Sequence, residues 1–414
     1  MISDTPGALR VGLLTGGGDK PYALGLTSAL SAEGIPLDVV GSDRLDCPEF
    51  HATPLVNFLN LRKDQNERAT LASKAWRIAQ YYTRLIQYAF QAEPAIFHIL
   101  WNNKFELFDR TLLLGYYRLC GRRIVLTAHN VNIRKRDRSD TFLNRLTLRI
   151  QYRLVDHIFV HTDRMKVELV NDFGVQEDRV TVIPFGINNT IPQSTMNRED
   201  ARRRLHLPAG ARVLLFFGQI APYKGLEYLT AALRELAPQD QLLHLVIAGK
   251  VKKGSAHYWN EIQRQIQEGG LADRVVARIE HVPDEEVEIY FKAADVLVVP
   301  YTDIFQSGLP FLAFSFGLPI VATDVGSLRE DILEGQTGFI CRPRDPQDLA
   351  EAIRRYYDSD LYQQQVQHQS RIQAYANERY SWAKVGRITR RIYTLLLGGG
   401  RAHKSPEIEP KGLS

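Results

Sequence analysis

The sequence predicts an α/β protein built from two doubly wound domains. Short apolar strands alternate with helical segments along most of the chain, which is typical of parallel sheets covered by helices. The 414 residues exceed what one hydrophobic core usually holds, and 44% of them are hydrophobic. A polar stretch over residues 189–211, interrupted by Pro192, Pro208 and Gly210, separates the two series. We therefore expect two Rossmann-like domains that face each other across a cleft.

The domain boundaries follow from where the alternation stops and restarts. We expect a first domain over residues 1–190, a second over 198–378, a C-terminal helix over 380–398 that packs back on the first domain, and a disordered tail over 399–414.

A glycine loop follows the first strand, which is expected over residues 9–14. It carries Gly16, Gly17 and Gly18 ahead of a helix that ends near Ala32. A dinucleotide fingerprint is disfavoured because Pro21 occupies the third glycine position, where close helix packing needs glycine. The loop therefore either lets backbone approach a ligand or is an ordinary turn between strand and helix.

The next elements of the first series are a long helix and further strands. The helix is expected to open at Asp64 with a capping-box pattern. Its helically spaced apolar residues are interpreted as core: Leu71, Ala75, Ile78, Tyr82, Leu85, Ile86 and Phe90. A later strand over 124–127 carries His129 to the carboxyl edge of the sheet, where a functional and a structural role are equally compatible with the position.

A basic region follows this strand. Residues 118–153 hold ten Arg or Lys against two Asp, including the run Arg134, Lys135, Arg136 and Arg138. A helix beginning near Thr141 adds further arginines beside apolar residues. This face is either simply solvated or docks on an anionic membrane, and the sequence leaves both open.

The most informative stretch of the second series is residues 296–323. A strand stops at Pro300, a polar loop carries Asp303, Gln306, Ser307 and Gly308, and a short helix and a second strand follow. Loops at the carboxyl ends of parallel strands collect ligands. A helix N-terminus there favours an anion such as a diphosphate.

Several segments resemble the retaining nucleotide-sugar glycosyltransferases of family four, which have the GT-B fold. The segments FFGQIAPYKGLEYL (216–229), HVPDEEVEIYFKAADVLVVPY (281–301) and the stretch over 316–353 are similar to the second domain of that family. LTAHN (126–130) and the stretch over 156–187 are similar to its first domain.

The resemblance implies roles for particular residues. Lys224, framed by Gly218 and Gly225, matches the lysine that contacts the donor diphosphate. A fixed cation suits that place, because the departing nucleoside diphosphate builds up negative charge. His129 matches the histidine that approaches the transferred sugar. The glycine loop of residues 16–18 matches the one that faces the diphosphate or the acceptor.

The chain also departs from the family pattern. Gln219 stands where the family has a second phosphate-binding arginine, and Ile304 and Leu312 stand where it has paired glutamates. The Gln306-Ser307-Gly308 sequence resembles a subgroup of bacterial polysaccharide transferases, in which Ser307 and Gly308 would hold the diphosphate. Gln306 and Asp303 are then candidates for the sugar and ribose hydroxyls. The alternative is that they are ordinary polar loop residues.

The expected function is retaining transfer of a sugar from a UDP- or GDP-sugar to a glycan or polyprenyl-linked acceptor, without a cofactor. No divalent metal is expected, because Asp358 and Asp360 are interpreted as a turn or helix cap and no carboxylate pair ends a strand. No nucleic acid partner is expected. The opposing hypothesis is a non-catalytic scaffold or nucleotide-sugar-binding subunit, which Ile304 and Leu312 favour.

The expected location is the cytoplasm, with peripheral contact at the inner face of the membrane. The N-terminus lacks the features of a secretory signal. The cysteines Cys47, Cys120 and Cys341 are odd in number and far apart, as free thiols in a reducing compartment are.

Overall fold

The structure is a computed structural model that describes residues 9–64, 70–132, 134, 139–187, 189, 191, 193–304 and 306–398. The chain divides into two units. The first holds the described residues up to Gly186 together with those from Ser381 onward, and the second holds residues 187–380. The expected tail over 399–414 lies outside the described residues.

The first unit is a parallel sheet with helices on its faces. Its strands are β1 (Val11–Leu14), β2 (Leu37–Gly41), β3 (Val56–Asn60), β4 (Ile96–Ile99), β5 (Arg123–Thr127), β6 (His157–Val160) and β7 (Val180–Val182). Their order is β3-β2-β1-β4-β5-β6-β7. Its helices are α1 (Lys20–Ala32), α2 (Pro48–Ala52), α3 (Leu71–Gln91), α4 (Glu106–Phe108), α5 (Leu114–Leu119), α6 (Phe142–Leu154) and α7 (Asp163–Phe173). A π-helical turn, Asp109–Leu113, joins α4 to α5.

Two features of this unit differ from the sequence prediction. Strand β3 was not predicted; it pairs with β2 at the edge of the sheet. Helix α3 begins at Leu71, so the predicted start at Asp64 is wrong. Thr70 caps the helix by accepting a hydrogen bond from the Ser73 amide at 3.4 Å, and Asp64 instead forms an ion pair with Arg77 at 2.9 Å.

The interpretation of α3 as a core helix is only half right. Tyr82 and Leu85 are buried, but Leu71 is 84% exposed and Phe90 is 73% exposed. Ile86 is also exposed, at 36%. Apolar residues therefore line two faces of α3, and one of those faces is turned to solvent.

The C-terminal helix (Trp382–Leu397) belongs to the first unit. Val385, Ile392 and Tyr393 join its hydrophobic core, and the Tyr393 hydroxyl lies 2.6 Å from Nδ1 of His98. Gly25 leaves room for the Trp382 ring, because a Cβ there would lie 2.1 Å from it. The helix thus covers the face of the sheet that carries α1.

The second unit repeats the same architecture. Its strands are β8 (Arg212–Phe217), β9 (Leu243–Ala248), β10 (Val275–Arg278), β11 (Val296–Val299), β12 (Ile320–Thr323) and β13 (Gly338–Cys341), in the parallel order β10-β9-β8-β11-β12-β13. Its helices are α8 (Arg198–Arg204), α9 (Leu226–Leu236), α10 (Ala256–Glu268), α11 (Asp284–Ala293), α12 (Leu309–Ser315), α13 (Leu328–Asp331), α14 (Pro346–Asp358), α15 (Asp360–Gln363) and α16 (Gln365–Arg379). The predicted fold class, two Rossmann-like α/β units, is confirmed.

No helix within the described ranges combines the length and the apolar character needed to cross a bilayer.

Candidate functional site

The carboxyl edge of the first sheet gathers the loops that follow β1, β4, β5 and β6. In the glycine loop after β1, Gly16 and Gly17 adopt positive φ angles of +58° and +77°. A Cβ at Gly16 would lie 2.2 Å from the carbonyl oxygen of Trp101, and one at Gly18 would lie 2.1 Å from its ring. The glycines are therefore needed because Trp101, which follows β4, presses directly against the loop.

Trp101 in turn fixes the ring of His129. The two rings are stacked, with centroids 4.3 Å apart and planes at 7°, and the ring of Tyr22 meets His129 edge-on at 4.6 Å. Aromatic contacts of this kind restrict both the position and the tilt of an imidazole. Three loops and helix α1 thus hold His129 in a defined orientation at the end of β5.

A hydrogen-bond chain sets the tautomer of His129. Nδ1 of His161 lies 3.3 Å from the carbonyl oxygen of Ile183, which can only accept, so this nitrogen carries the proton. Nε2 of His161 is then an acceptor for Nδ1–H of His129 at 3.2 Å. Nε2 of His129 keeps a lone pair, and within the described residues this buried atom has no hydrogen-bond partner.

Both imidazoles are held neutral. Burial lowers the pKa of His161 to about 4 and lowers the pKa of His129 well below its usual value, with a further contribution from the neighbouring His161. A neutral acceptor nitrogen suits a hydroxyl group rather than an anion. Sequence reasoning found His129 from its strand-end position but did not find Trp101, Tyr22 or His161, which determine its state.

A polar cavity of about 220 Å³ opens beside His129. The amide side chains of Asn102 and Gln151 bond to each other at 3.0 and 3.4 Å in its wall. Asn103, Asn130 and Asn132 also line it. Such a set of amide donors and acceptors is suited to a ligand that carries several hydroxyl groups.

In the second unit, the loop after β8 is tied to the end of β11. Gly218 and Gly225 have φ angles of +105° and +66°, and a Cβ at Gly225 would lie 1.9 Å from the carbonyl oxygen of Pro300. The Thr302 amide donates to the carbonyl oxygen of Tyr223 at 2.9 Å. The two glycines predicted on either side of Lys224 thus belong to a loop whose backbone lies in close contact with the residues that follow β11.

Lys224 lies at the end of the 3₁₀ turn Pro222–Lys224 and is 9% exposed. Its Nζ lies 3.8 Å from the centroid of the Tyr301 ring and is hydrogen-bonded to the Tyr301 hydroxyl. Nζ also lies 5.5 Å from the centroid of the Tyr223 ring. Cation–π contacts of this kind hold an ammonium group in place in a largely desolvated setting.

A second cation lies by the same Tyr223 ring. Nζ of Lys252, in the loop after β9, is 5.5 Å from its centroid. The Lys252 amide donates to the carbonyl oxygen of Ile220 at 2.9 Å, which holds this loop beside the one that carries Lys224. Sequence reasoning missed Lys252, although it follows β9 much as Lys224 follows β8. Gln219, the residue in place of the family arginine, is exposed.

The predicted Gln306-Ser307-Gly308 loop approaches Lys224 through Tyr301. Burial raises the pKa of Tyr301, and a hydrogen bond from Ser307 opposes part of that rise. The Ser307 hydroxyl also accepts from the Leu309 amide at 3.3 Å. Gly308 is exposed and has an ordinary helical φ of −73°, so its conformation does not require glycine.

The remaining residues of this loop are divided between the interior and the surface. The Gln306 side chain donates to Asp331 at 3.4 Å, and Asp303 is exposed. Ile304 and Leu312, the residues in place of the paired glutamates, are 7% and 8% exposed. Two carboxylates at these positions would be desolvated, so the local packing is suited to apolar side chains.

Asp331 is a titratable group that sequence reasoning missed. Burial raises its pKa to about 7, although Ser327 and Tyr380 donate hydrogen bonds to it at 2.9 and 3.2 Å. It is a buried carboxyl group that changes charge near neutral pH.

The basic run predicted as a membrane contact can be followed only in part. Arg134 forms an ion pair with Glu106 at 3.0 Å. Lys135, Arg136 and Arg138 lie outside the described residues.

In the described ranges no group of three His, Cys, Asp or Glu side chains is arranged to hold a metal ion.

Two family models match the chain, one for each unit. The model described as "Glycosyltransferase Family 4" matches residues 16–190, and the model described as "Glycosyl transferases group 1" matches residues 211–359. Between them they contain the glycine loop and His129 in the first unit and Lys224 and Ser307 in the second.

Individual relatives match the chain over part of their length. A D-inositol 3-phosphate glycosyltransferase of Corynebacterium diphtheriae is 31% identical over 257 residues, which is 59% of each chain. One of Thermomonospora curvata is 33% identical over 214 residues, or 49% of each chain. The chain therefore spans between about half and three fifths of the length of these relatives.

Two solved structures have a similar fold. A sucrose-phosphate synthase of Thermosynechococcus elongatus superposes with a TM-score of 0.73 at 20% identity, covering 94% of this chain and 100% of the other. HepE of Anabaena, in complex with UDP and glucose, superposes with a TM-score of 0.71 at 19% identity, covering 93% and 99%. At these identities the likeness concerns the fold alone.

Proposed function

Because the chain belongs to the family-four glycosyltransferases of the GT-B fold, we propose that it transfers a sugar from a nucleotide-sugar donor to a glycan or lipid-linked oligosaccharide acceptor. The observation that carries this proposal is the fixed ammonium group of Lys224 at the end of β8. It is held on the ring and hydroxyl of Tyr301, at a strand end where parallel α/β sheets bind ligands.

The proposed reaction keeps the α configuration at the anomeric carbon. The bond between that carbon and the donor phosphate oxygen breaks, and the nucleoside diphosphate leaves with the electron pair. The acceptor hydroxyl oxygen forms the new bond on the same face, and its proton passes to the leaving phosphate oxygen. Lys224 stabilises the charge that develops on the diphosphate, and it does so without reorganisation because Tyr301 and Tyr223 already hold it.

We assign the second diphosphate cation to Lys252. The family arginine is replaced by the exposed Gln219, so a cation is missing from its usual place. Lys252 lies on the same tyrosine ring as Lys224 and is brought there by its backbone bond to Ile220. Two ammonium groups around one ring match the charge of a diphosphate better than one alone.

In the first unit, His129 is proposed to accept a hydrogen bond from a sugar hydroxyl through its Nε2 atom. The stack on Trp101 and the bond to His161 orient that lone pair, and burial keeps the ring neutral. The cavity beside it, with its amide-rich wall, is proposed to receive hydroxyl groups of the acceptor. The glycine loop shapes this site by admitting Trp101.

The donor is tested first with UDP-sugars, since UDP is the nucleotide held by HepE. Calorimetric titration and thermal shift with UDP-, GDP- and ADP-glucose should show stabilisation by one nucleotide class, because a ligand that binds the native state stabilises it by mass action. Slow hydrolysis of that donor without acceptor is expected of a transferase. Binding without any hydrolysis or transfer would favour the non-catalytic subunit instead.

The assignment of Lys252 is tested with a matched pair of variants. Lys252→Gln should weaken binding of the nucleoside diphosphate by roughly tenfold or more, the scale of a lost charge-assisted hydrogen bond. Lys253→Gln, a change of the exposed neighbour, is the control and should bind as the wild type does. Adding Gln219→Arg to Lys252→Gln should restore part of the affinity. Equal binding by both lysine variants would remove Lys252 from the site.

The proposed reaction does not use a divalent metal, since the charge of the leaving group is met by lysine side chains. Activity should therefore be unchanged by EDTA. Loss of activity with EDTA and its recovery with Mn²⁺ or Mg²⁺ would show that a metal shares this task.

A further inference from the structure

Exposed apolar side chains are concentrated in one part of the first unit. Among the described residues, sixteen large hydrophobic side chains are exposed, and eleven of them lie on α3, on the helical segment from α4 to α5 with the residue before it, and on α6. These eleven are Leu71, Trp76, Ile86, Phe90, Phe105, Leu107, Leu112, Leu119, Phe142, Leu143 and Leu146. Single exposed hydrophobics are ordinary, but such a concentration marks an interaction surface.

These helices lie side by side and form one layer. The Tyr82 hydroxyl of α3 donates a hydrogen bond to Asp109 in the π-helical turn at 2.9 Å. The Tyr116 hydroxyl of α5 donates to the Ile86 carbonyl oxygen of α3 at 3.2 Å. Two arginines connect the segment from α4 to α5 with α6. Arg110 donates to the Asn144 side chain at 2.8 Å, and Arg118 donates to the Leu154 carbonyl oxygen at 2.7 Å. Their solvent-facing sides therefore form one continuous surface, which we call the outer helical face.

The α3 part of this face is a stripe of apolar and small residues. Positions spaced by three and four residues along its exposed side are Ala72, Trp76, Ala79, Thr83, Ile86 and Phe90, and none of them is charged. The buried residues of the same helix are Tyr81, Tyr82, Leu85 and Ala89. The core contacts of α3 therefore do not account for the exposed stripe.

The charged residues on these helices are almost all basic. They carry eight arginines or lysines and two acids, Glu106 and Asp109. Asp109 is buried, and Glu106 is engaged by Arg110 and Arg134. On α6, Arg149 and Arg153 are exposed beside Phe142 and Leu146. Four of the other basic residues are ion-paired: Arg77 with Asp64, Arg110 with Glu106, Arg118 with Asp156 and Arg145 with Asp140. The exposed apolar side chains together with the exposed Arg149 and Arg153 match a bilayer whose headgroups are anionic.

We propose that the outer helical face docks on an anionic lipid bilayer, with Trp76, Phe90 and Leu112 entering the headgroup region and the α6 arginines meeting phosphate groups. An aromatic ring such as that of Trp76 suits the interface between headgroups and acyl chains. The proposal concerns the first unit by itself and does not depend on the reaction assigned to the protein.

The test measures co-sedimentation of the 414-residue chain with phosphatidylcholine vesicles that contain or lack phosphatidylglycerol. The wild type should bind the anionic vesicles, and added salt should weaken that binding because it screens the arginines. Trp76→Gln, Phe90→Gln and Leu112→Gln combined should reduce binding by roughly tenfold or more. The matched control exchanges two exposed hydrophobics of the second unit, Leu242→Gln with Val366→Gln, and should bind as the wild type does.

The charge contribution is tested separately. Arg149→Gln with Arg153→Gln should lower the preference for anionic over neutral vesicles by roughly 30-fold, since each of the two cations near an anionic surface contributes about 1 kcal/mol. Arg204→Gln with Arg371→Gln, on exposed positions of the second unit, is the control. All of these positions are exposed, so the variants should keep the thermal unfolding midpoint of the wild type, which circular dichroism verifies.

Three outcomes would overturn the proposal. The first is a wild type that binds neither kind of vesicle. The second is equal loss of binding in the surface variants and their controls. The third is a wild type that sediments as a dimer without binding vesicles and becomes monomeric in the triple variant, because the outer helical face would then be an interface between two copies.

Discussion

The strand ends of the two units use the same topology to present opposite chemistry. In the first unit, His129 at the end of β5 is buried against Trp101 and kept neutral, with an acceptor lone pair at Nε2. In the second unit, Lys224 at the end of β8 is held as a donor against the hydroxyl and ring of Tyr301. In both cases an aromatic ring fixes the polar group.

The difference shows what a βα loop determines and what it leaves to its neighbours. Each loop places one polar residue at the edge of a sheet, but the adjoining strand end supplies the ring that holds it. A stacked indole with a second histidine desolvates an imidazole and disfavours its charged form. A phenol ring whose hydroxyl accepts a hydrogen bond stabilises a cation instead. The following predictions break each of these arrangements, from the largest expected effect to the smallest.

Removing the ammonium group of Lys224 in the second unit should have the largest effect. Lys224→Ala should reduce turnover by roughly 100-fold or more, because one preorganised charge-stabilising group is lost. Steady-state kinetics with the identified donor measure this, and Lys253→Ala serves as an exposed control. Turnover within a few fold of the wild type would show that Lys224 takes no part in the reaction.

Displacing the Trp101 ring in the first unit should have the next largest effect. Gly18→Ala puts a Cβ 2.1 Å from the Trp101 ring, so Trp101 must move away from His129. We expect a loss of about 1–3 kcal/mol in the free energy of unfolding. Gly115→Ala is the control, because nothing lies within 4 Å of a Cβ at that helical position. Urea unfolding compares the two, and equal stabilities would contradict the close contact.

The two units should respond to pH in opposite directions. Burial lowers the pKa of four histidines of the first unit: to about 3 for His98, to about 4 for His157 and His161, and well below its usual value for His129. Unfolded histidine titrates near 6.5, so the unfolded chain binds more protons as the pH falls, and stability is lost as the pH falls from about 6.5 towards about 3. Asp109, whose pKa is raised to about 6 by burial, offsets part of this loss.

Asp331 in the second unit acts in the reverse sense. Its folded pKa of about 7 lies above the unfolded value, so its contribution to stability increases as the pH falls from about 7 towards 4. Asp331→Asn should therefore steepen the acid loss of the whole protein, and His157→Gln should flatten it. Guanidinium unfolding at pH 7 and pH 5 measures both slopes, with the exposed His51→Gln as control. The same slope in all four proteins would contradict this assignment.

The smallest effect is expected from the hydroxyl of Ser307. Ser307→Ala removes its bond to Tyr301 and the one it accepts from the Leu309 amide, yet keeps its own backbone N–H. Donor affinity should fall by about 1–2 kcal/mol by calorimetry. If Ser307→Ala lost more donor affinity than Lys224→Ala in the same calorimetric titration, the loop rather than the lysine would be the main contact of the diphosphate.

Much of the fold could be read from local pattern. The alternation of apolar strands and helical segments predicted both sheets, the end of a predicted strand located His129, and the resemblance to a known family located Lys224. Helix α3 shows where this reasoning fails. Its apolar spacing predicted a helix correctly, but periodicity cannot tell which of two apolar faces is buried, so Leu71 and Phe90 were wrongly assigned to the core.

The sequence by itself determined the two βα series, the strand-end positions of the polar residues and the departures at Gln219, Ile304 and Leu312. Only the tertiary structure decided that Trp101 and His161 keep His129 neutral, that Tyr301 holds Lys224, and that Lys252 lies beside it. The physical reason is the distance along the chain over which the two kinds of interaction act. Secondary structure follows from neighbours three or four residues apart, whereas the charge state and orientation of a side chain depend on groups that the sheet brings together from distant parts of the chain.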